Sequence, residues 1–260
     1  MLMNTKKNNN KKEIFAAVIC GLLILFILLL TATQILCFGI PDWWRNEYTK
    51  YNTPQYVRGE MSMDDAVYVT EQMLDYCIGR IDSLDNVQAT IDGNTAPFFT
   101  EREKLHLADC RNLFMAAYNA RTISLILLIV LLIAIYLSLS KKRSGDDISE
   151  SGRSLSFAYI MSKGYLYSLA VVAVISVIIA VISFIDFTYV FTVFHHIFFD
   201  NDLWILYPDE DNLINIMQEA VFADAALTIA AMWLSAAAVL AIISIVILRK
   251  SGSGLQTSKQ

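Results

Sequence analysis

Long apolar runs alternate along the chain with polar stretches that carry turn and cap signals. Ile14 to Leu30 is unbroken apolar sequence, continuing through Thr31, Thr33 and Gln34 to Cys37. Ile123 to Leu139, Leu166 to Ile185 and Ala225 to Leu248 are three further runs. Crossing ~30 Å of hydrocarbon at 1.5 Å per residue takes about 20 residues, so each run predicts a membrane-spanning helix. The first exceeds the apolar core of a cleaved leader and reads as an uncleaved span. The expected layout is an N-terminal segment 1–13, spans at 14–38, 119–140, 165–187 and 223–248, and a tail 249–260. The intervening segments are 39–118, 141–164 and 188–222.

Segment 39–118 is long enough for a small domain of its own. Ser62 followed by Asp64 and Asp65 marks a helix start, because acids favour the positive end of the helix dipole. Val69, Met73 and Cys77, flanked by Leu74, Ile78 and Ile81, form an apolar stripe at helical spacing and predict a core face. Val87 to Phe99 encloses Asp92-Gly93-Asn94 and predicts a short hairpin whose second strand Pro97 weakens. Thr100-Glu101-Arg102-Glu103 has the T-x-x-E form of a capping box and opens a helix that runs on into the second span. In the fourth span, Ala226/Ala230, Ala231/Ser235 and Ala237/Ala241 put small residues four apart, as close helix packing needs. The fold class is therefore an all-α integral membrane protein: a four-transmembrane-helix bundle with a mainly helical domain between spans 1 and 2.

Composition agrees with that class. Of 260 residues 56% are hydrophobic and only 4 are Pro, with mean hydropathy +0.49, too apolar for an ordinary soluble domain. The charges then orient it. Lys6, Lys7, Lys11 and Lys12 precede span 1; Lys141, Lys142, Arg143, Arg153 and Lys163 separate spans 2 and 3; Arg249, Lys250 and Lys259 follow span 4. By the positive-inside rule both termini and the Ser/Gly-rich 141–164 loop are cytoplasmic, and segments 39–118 and 188–222 lie outside. Net charge −5 gives no reason to expect a nucleic-acid partner.

The stretch with most chemistry is Phe191 to Pro208. It holds His195 and His196 among Phe191, Phe194, Phe198, Phe199, Trp204 and Tyr207, and the acids Asp209, Glu210 and Asp211 follow. Aromatics beside polar groups suit the headgroup layer, where a titratable imidazole can act on a lipid whose tails stay in the bilayer. An aromatic belt with incidental histidines explains the same spacing. The third histidine, His106, shares a helix face with Glu103, Asp109 and Cys110, and Asp109 one turn on can steady its tautomer. That face also reads simply as a wet helix surface. Asp186 closes span 3, where it needs a partner or water. The four cysteines (Cys20, Cys37, Cys77, Cys110) show no metal spacing, and no Gly-rich phosphate loop, CxxC pair or HExxH motif is present. Cys77 and Cys110 could pair if both face outward, and otherwise read as two free thiols. Neither Cys20 nor Cys37 follows the small residues of a lipid-attachment site. No cofactor and no metal are expected.

Two patches together resemble the lipoprotein intramolecular transacylase family of small four-span bacterial membrane proteins. Glu103-Lys104-Leu105-His106-Leu107-Ala108-Asp109 is similar to the family's E-x-x-H-[ML]-x-D. The other patch runs from Asp186-Phe187 through Phe194-His195-His196-Ile197-Phe198-Phe199 to Trp204, Pro208, Asp211, Leu213 and Ile214. His195 matches the family's histidine and His196 falls at a variable place. Cys110 stands where a valine is usual, and Met217-Gln218-Glu219 where Pro-Glu is common. The resemblance implies an acyltransferase at the outer face of the bacterial plasma membrane. It would move an acyl chain from the S-diacylglyceryl group of a lipoprotein's N-terminal cysteine to that cysteine's own amine, giving a lyso-form lipoprotein. Its partners would be diacylglyceryl-modified lipoproteins and membrane lipids. His106 and His195 are then the acid/base pair, with Asp109, Glu103 and Asp186 in support. Three other readings stand beside this one. Cys110 could be a thiol nucleophile with His106 as base. His106, His195, His196 and an acid could ligate the metal of a hydrolase. The outer segments could instead form a non-enzymatic binding or assembly module.

Overall fold

A computed structural model describes residues 10–142 and 150–257. Its order is α1 (Lys11–Gly39), α2 (Trp43–Tyr51), a 3-10 turn (Thr53–Tyr56), α3 (Met63–Cys77), β1 (Gln88–Ile91), β2 (Asn94–Pro97), α4 (Glu101–Lys142), α5 (Glu150–Ile185), α6 (Phe187–Phe198), α7 (Leu213–Ile216) and α8 (Glu219–Thr257). The chain divides into two compact units. One comprises Met1–Ala32, Ala120–Ala180 and Ala230–Gln260; the other comprises Thr33–Asn119 and Val181–Ile229. They are called here the bundle unit and the histidine unit.

Four helices, α1, α4, α5 and α8, are long and apolar enough to cross a membrane. In the bundle unit Ala17, Cys20, Ile135, Leu139 and Ile160 form a buried cluster shared by α1, α4 and α5. Two glycines let α1 and α5 approach closely. A Cβ at Gly164 would lie 2.5 Å from the Ala17 backbone, and one at Gly21 would lie 2.4 Å from Ser168 Oγ. Polar side chains here bond to backbone carbonyls: Ser168 Oγ to Val18 O at 2.7 Å, Tyr165 OH to Ala237 O at 2.8 Å, Trp233 Nε1 to Leu25 O at 2.8 Å. The buried seam of α8 runs through Trp233 and Ala237, whereas Ala226, Ala231 and Ser235 are exposed. Of the three small-residue pairs, Ala237/Ala241 therefore falls on the packed seam, and the other two have exposed members. Around the bundle Ile126, Ile133, Val174 and Ile242 stand exposed, an aliphatic surface that suits lipid and not water.

The basic loop expected over 141–164 is much shorter as structure. Helix α4 persists to Lys142 and α5 begins at Glu150, while Arg143 to Ser149 lie outside the described residues. Lys6, Lys7 and Lys259 also fall outside them.

The histidine unit follows its sequence signals closely. Ser62 caps α3 by accepting Asp65 N–H at 3.0 Å, and Val69, Met73, Leu74 and Cys77 are the buried face. In the hairpin Ile91 pairs with Asn94 and Gln88 with Pro97. The two-residue turn has positive φ at Asp92 (53°) and Gly93 (75°), as a tight hairpin of this hand requires. Pro97 is tolerated because it sits in the last pair of a two-stranded sheet with no third strand beside it. All four cysteines are free.

Candidate active site

Helix α4 carries the first histidine. Its 42 residues would measure about 63 Å, twice the hydrocarbon thickness, and its apolar part is only Ile123 to Leu139. The first turns, with Glu103, His106 and Asp109, therefore lie beyond the apolar stretch. The capping box closes reciprocally: Thr100 N–H donates to Glu103 Oε2 at 2.6 Å, and Glu103 N–H donates to Thr100 Oγ1 at 3.2 Å.

The second histidine comes on α6, separated from α5 by one extended residue, Asp186 (φ −153°, ψ 93°). The Asp186 carboxylate accepts Tyr189 N–H at 2.8 Å, so its role is to start α6. It has no hydrogen bond to a histidine. Eight of the twelve α6 residues are Phe, Val, Ile or Tyr, yet the buried residue of this helix is His195.

The segment after α6 is bound to the first turns of α4. Asn201 Nδ2 donates to Asp109 Oδ2 at 2.9 Å, and Arg102 donates to Asp202 O at 2.9 Å. Further along, Thr100 Oγ1 donates to Asp211 Oδ1 at 3.0 Å, and Asn212 Nδ2 to Phe98 O at 2.6 Å. Leu213 N–H donates to Glu103 Oε1. Glu103, wholly buried, is thus engaged by Thr100 and Leu213 backbone, not by an imidazole. Burial raises its pKa, while the backbone N–H donors pull it back down.

These ties bring His106 and His195 together, with ring centroids 6.1 Å apart and each side chain 7% exposed. His195 is packed by Phe191 at 4.1 Å, Trp204 at 4.7 Å in a stacked arrangement, and Phe199 at 5.5 Å. His195 Nδ1 lies 2.7 Å from Phe191 O. A carbonyl only accepts, so Nδ1 carries the proton and Nε2 presents its lone pair. Desolvation is the main cause pulling the His195 pKa below its ordinary value; the bond to Phe191 opposes it. His106 is pulled further, to about 4, by burial first and by neighbouring His195 second, with Asp109 opposing. Both are neutral imidazoles near pH 7.

Cys110 Sγ lies 3.5 Å from His106 Nε2. Burial pushes that thiol up to about 12, the reverse of what a cysteine nucleophile needs. His196 is exposed and touches the edge of Trp204 at 5.3 Å, apart from the pair. Among the described residues no three His, Cys, Asp or Glu side chains are placed to hold a metal ion. Two polar atoms at the pair, His106 Nδ1 and Trp204 Nε1, are shielded from solvent and have no hydrogen-bond partner among the described residues. In the sequence Trp204 figures as an aromatic-belt residue and as one position of the second patch, with no role of its own. Its indole stacked on His195 could not be seen without the fold that returns residue 204 to α6.

The family model of the lipoprotein intramolecular transacylase Lit matches residues 18–222. The crystal structure of membrane-integral Lit from Bacillus cereus is similar with TM-score 0.64 at 17% identity, covering 94% of this chain and 100% of that one. A variant of that protein with one histidine replaced by arginine gives TM-score 0.66 at 16% identity, over 96% of this chain and 98% of that one. At such identity the structural likeness speaks for the fold. No curated protein matches the chain.

Proposed function

The chain belongs to the lipoprotein intramolecular transacylase family, and on that premise we propose how its histidine pair serves the reaction. It is a multi-pass membrane acyltransferase acting on lipoproteins. In our reading the acyl chain leaves an oxygen of the S-diacylglyceryl group and joins the α-amine of the same N-terminal cysteine, giving a lyso-form lipoprotein.

The observation that carries this reading is two buried, neutral imidazoles side by side, one with its Nε2 lone pair uncommitted. Nucleophile and ester belong to one substrate, so holding them close supplies much of the catalysis, up to about 7–11 kcal/mol for well-oriented intramolecular reactions. What remains is proton traffic. The attacking nitrogen must lose a proton, and the departing glyceryl oxygen must gain one. His195 Nε2 takes the first. That same proton, handed on to His106, reaches the departing oxygen from Nδ1, a nitrogen with no hydrogen-bond partner among the described residues. A proton held at a pKa of about 4 is released readily to an alkoxide, and the Asp109 carboxylate favours the imidazolium while it lasts. Such acid–base steps are each worth about 10²–10⁴-fold. Glu103 and Asp186 support the pair by fixing the backbone: Glu103 ties α4 to Leu213, and Asp186 starts α6.

We place this site on the outer face, with both termini cytoplasmic, because the basic residues gather in the short segments of one side. A lone cysteine at Asn94, an exposed hairpin position, should react with an impermeant thiol reagent in intact cells. Protection there would reverse the orientation. The reaction is tested by expressing the chain in a bacterium that makes S-diacylglyceryl lipoproteins but leaves their amino termini free. Mass spectrometry of intact N-terminal peptides should show unchanged mass, a blocked amine, and one acyl chain moved from glyceryl to nitrogen on fragmentation. Mass lowered by one acyl group would mean hydrolysis. Mass raised by one would mean transfer from a second lipid. No change at all would leave the binding-module reading.

A further inference from the structure

Buried donors in native proteins almost always have acceptors, and an indole N–H shielded from water without one is destabilising. Trp204 Nε1 is such a donor. Its neighbourhood separates it from a packing defect. Trp44 Nε1 is also unpartnered, but its ring lies against Trp43 at 4.6 Å and Tyr48 at 6.3 Å, and no titratable imidazole is among those contacts. The Trp204 indole lies on the His195 imidazole itself, 4.7 Å between centroids and 29° from parallel. A second unpartnered atom, His106 Nδ1, belongs to the other ring of the pair. Two unused polar atoms therefore flank the one imidazole whose Nε2 is open.

A transacylation needs a donor at one further atom besides the two that exchange protons. When the amine nitrogen attacks the ester carbon, the N–C bond forms and the carbonyl π pair moves onto oxygen. His195 Nε2 takes the proton shed by nitrogen. Collapse restores the C=O, breaks the carbon–glyceryl oxygen bond and sends its electron pair to that oxygen, which is protonated. The carbonyl oxygen is negative only in between. In a dry, aromatic-walled site that charge is strongly destabilised unless a fixed N–H meets it. His195 Nδ1 is spent on Phe191 O, and Nε2 is the base.

We propose that the Trp204 indole N–H is the hydrogen-bond donor to that developing oxyanion, making Trp204 a catalytic residue and not only a wall of the site. The inference rests on the transacylase reading above. Indole is suited to the role: it is neutral, donates only, and is held by its stack on His195 in step with the base. Asn201, which binds Asp109 and also accepts Leu203 N–H at 3.0 Å, fixes the turn that delivers residue 204.

The test removes the N–H and keeps the ring. Replacing Trp204 with β-(3-benzothienyl)alanine, the same bicycle with sulfur for N–H, should lower kcat about 10²–10³-fold. KM should stay nearly unchanged and the pH profile stay in place, since stacking on His195 persists. Trp204→Phe should lose at least as much. A role in packing alone predicts the opposite pattern, with benzothienylalanine within about twofold of the unaltered protein in kcat. That result overturns the proposal, as does a loss carried by KM alone. The unaltered protein, assayed beside the variants on a diacylglyceryl peptide, separates the two levels: no transacylation there overturns the reaction assigned to the site and this role with it.

Discussion

Trp233 and Trp204 place the same indole in the two units of the molecule and use it differently. In the bundle unit Trp233 donates to Leu25 O at 2.8 Å and is 8% exposed, a finished polar contact in an apolar setting. Ser168 and Tyr165 are spent likewise on backbone carbonyls. In the histidine unit Trp204 Nε1 and His106 Nδ1 are equally shielded and unspent. In the bundle unit these three donors each meet a backbone carbonyl, since hydrocarbon offers no acceptor. Beside the histidine pair, in the reading proposed above, donors are kept for a substrate. A buried group without a partner calls for an explanation, and beside a pair of imidazoles a substrate atom is the one we propose.

That contrast breaks most visibly at the histidines. His106→Ala and His195→Ala should each cut transacylation by about 10²-fold or more while the protein stays helical and membrane-inserted. His196→Ala, at an exposed position outside the pair, should retain most activity. Full activity in both pair variants would end the acid–base assignment. The pH profile of the unaltered protein carries the same information. Activity needs neutral imidazoles, and both pKa values are displaced downward from 6.5. The neutral forms therefore persist as pH falls through 6.5, and the acid limb should appear lower, as protons reach His195 and then His106 near 4. An acid limb at the ordinary histidine value would contradict the buried, desolvated pair.

A smaller effect sharpens the comparison from the other side. Trp233→Phe should leave kcat unchanged and lower thermal stability, since Leu25 O loses its donor, by about 1–3 kcal/mol. Trp204→Phe should do the reverse, losing rate with little stability, because no protein acceptor is abandoned. Equal stability losses at the two positions would erase the distinction between spent and reserved donors.

How much of this was legible without coordinates follows from the range of each interaction. The Thr100–Glu103 box, the Ser62 cap and the Asp92-Gly93 turn involve residues no more than three apart, and each formed as its spacing required. The four spans were legible because hydrocarbon thickness sets a length that composition alone can meet. Helix rotation was legible only in part: Ala237 lies on the seam of α8, whereas Ala226, Ala231 and Ser235 are exposed. Glu103 shows the boundary within one side chain. One carboxylate oxygen answers a backbone N–H three residues before it, as the motif says; the other answers Leu213, 110 positions away, which no local pattern encodes.

By itself, then, the sequence determined the class of fold, the number of spans, the local caps and turn, and the residue types able to move a proton. Tertiary structure alone decided which of them meet. It set His106 beside His195, left His196 outside, turned Asp186 into a helix cap and laid Trp204 on an imidazole. The physical reason is that periodicity and capping are short-range and repeat along the chain. A stack such as that of Trp204 on His195 instead depends on where the Asp109–Asn201 and Glu103–Leu213 bonds bring distant segments back to α4.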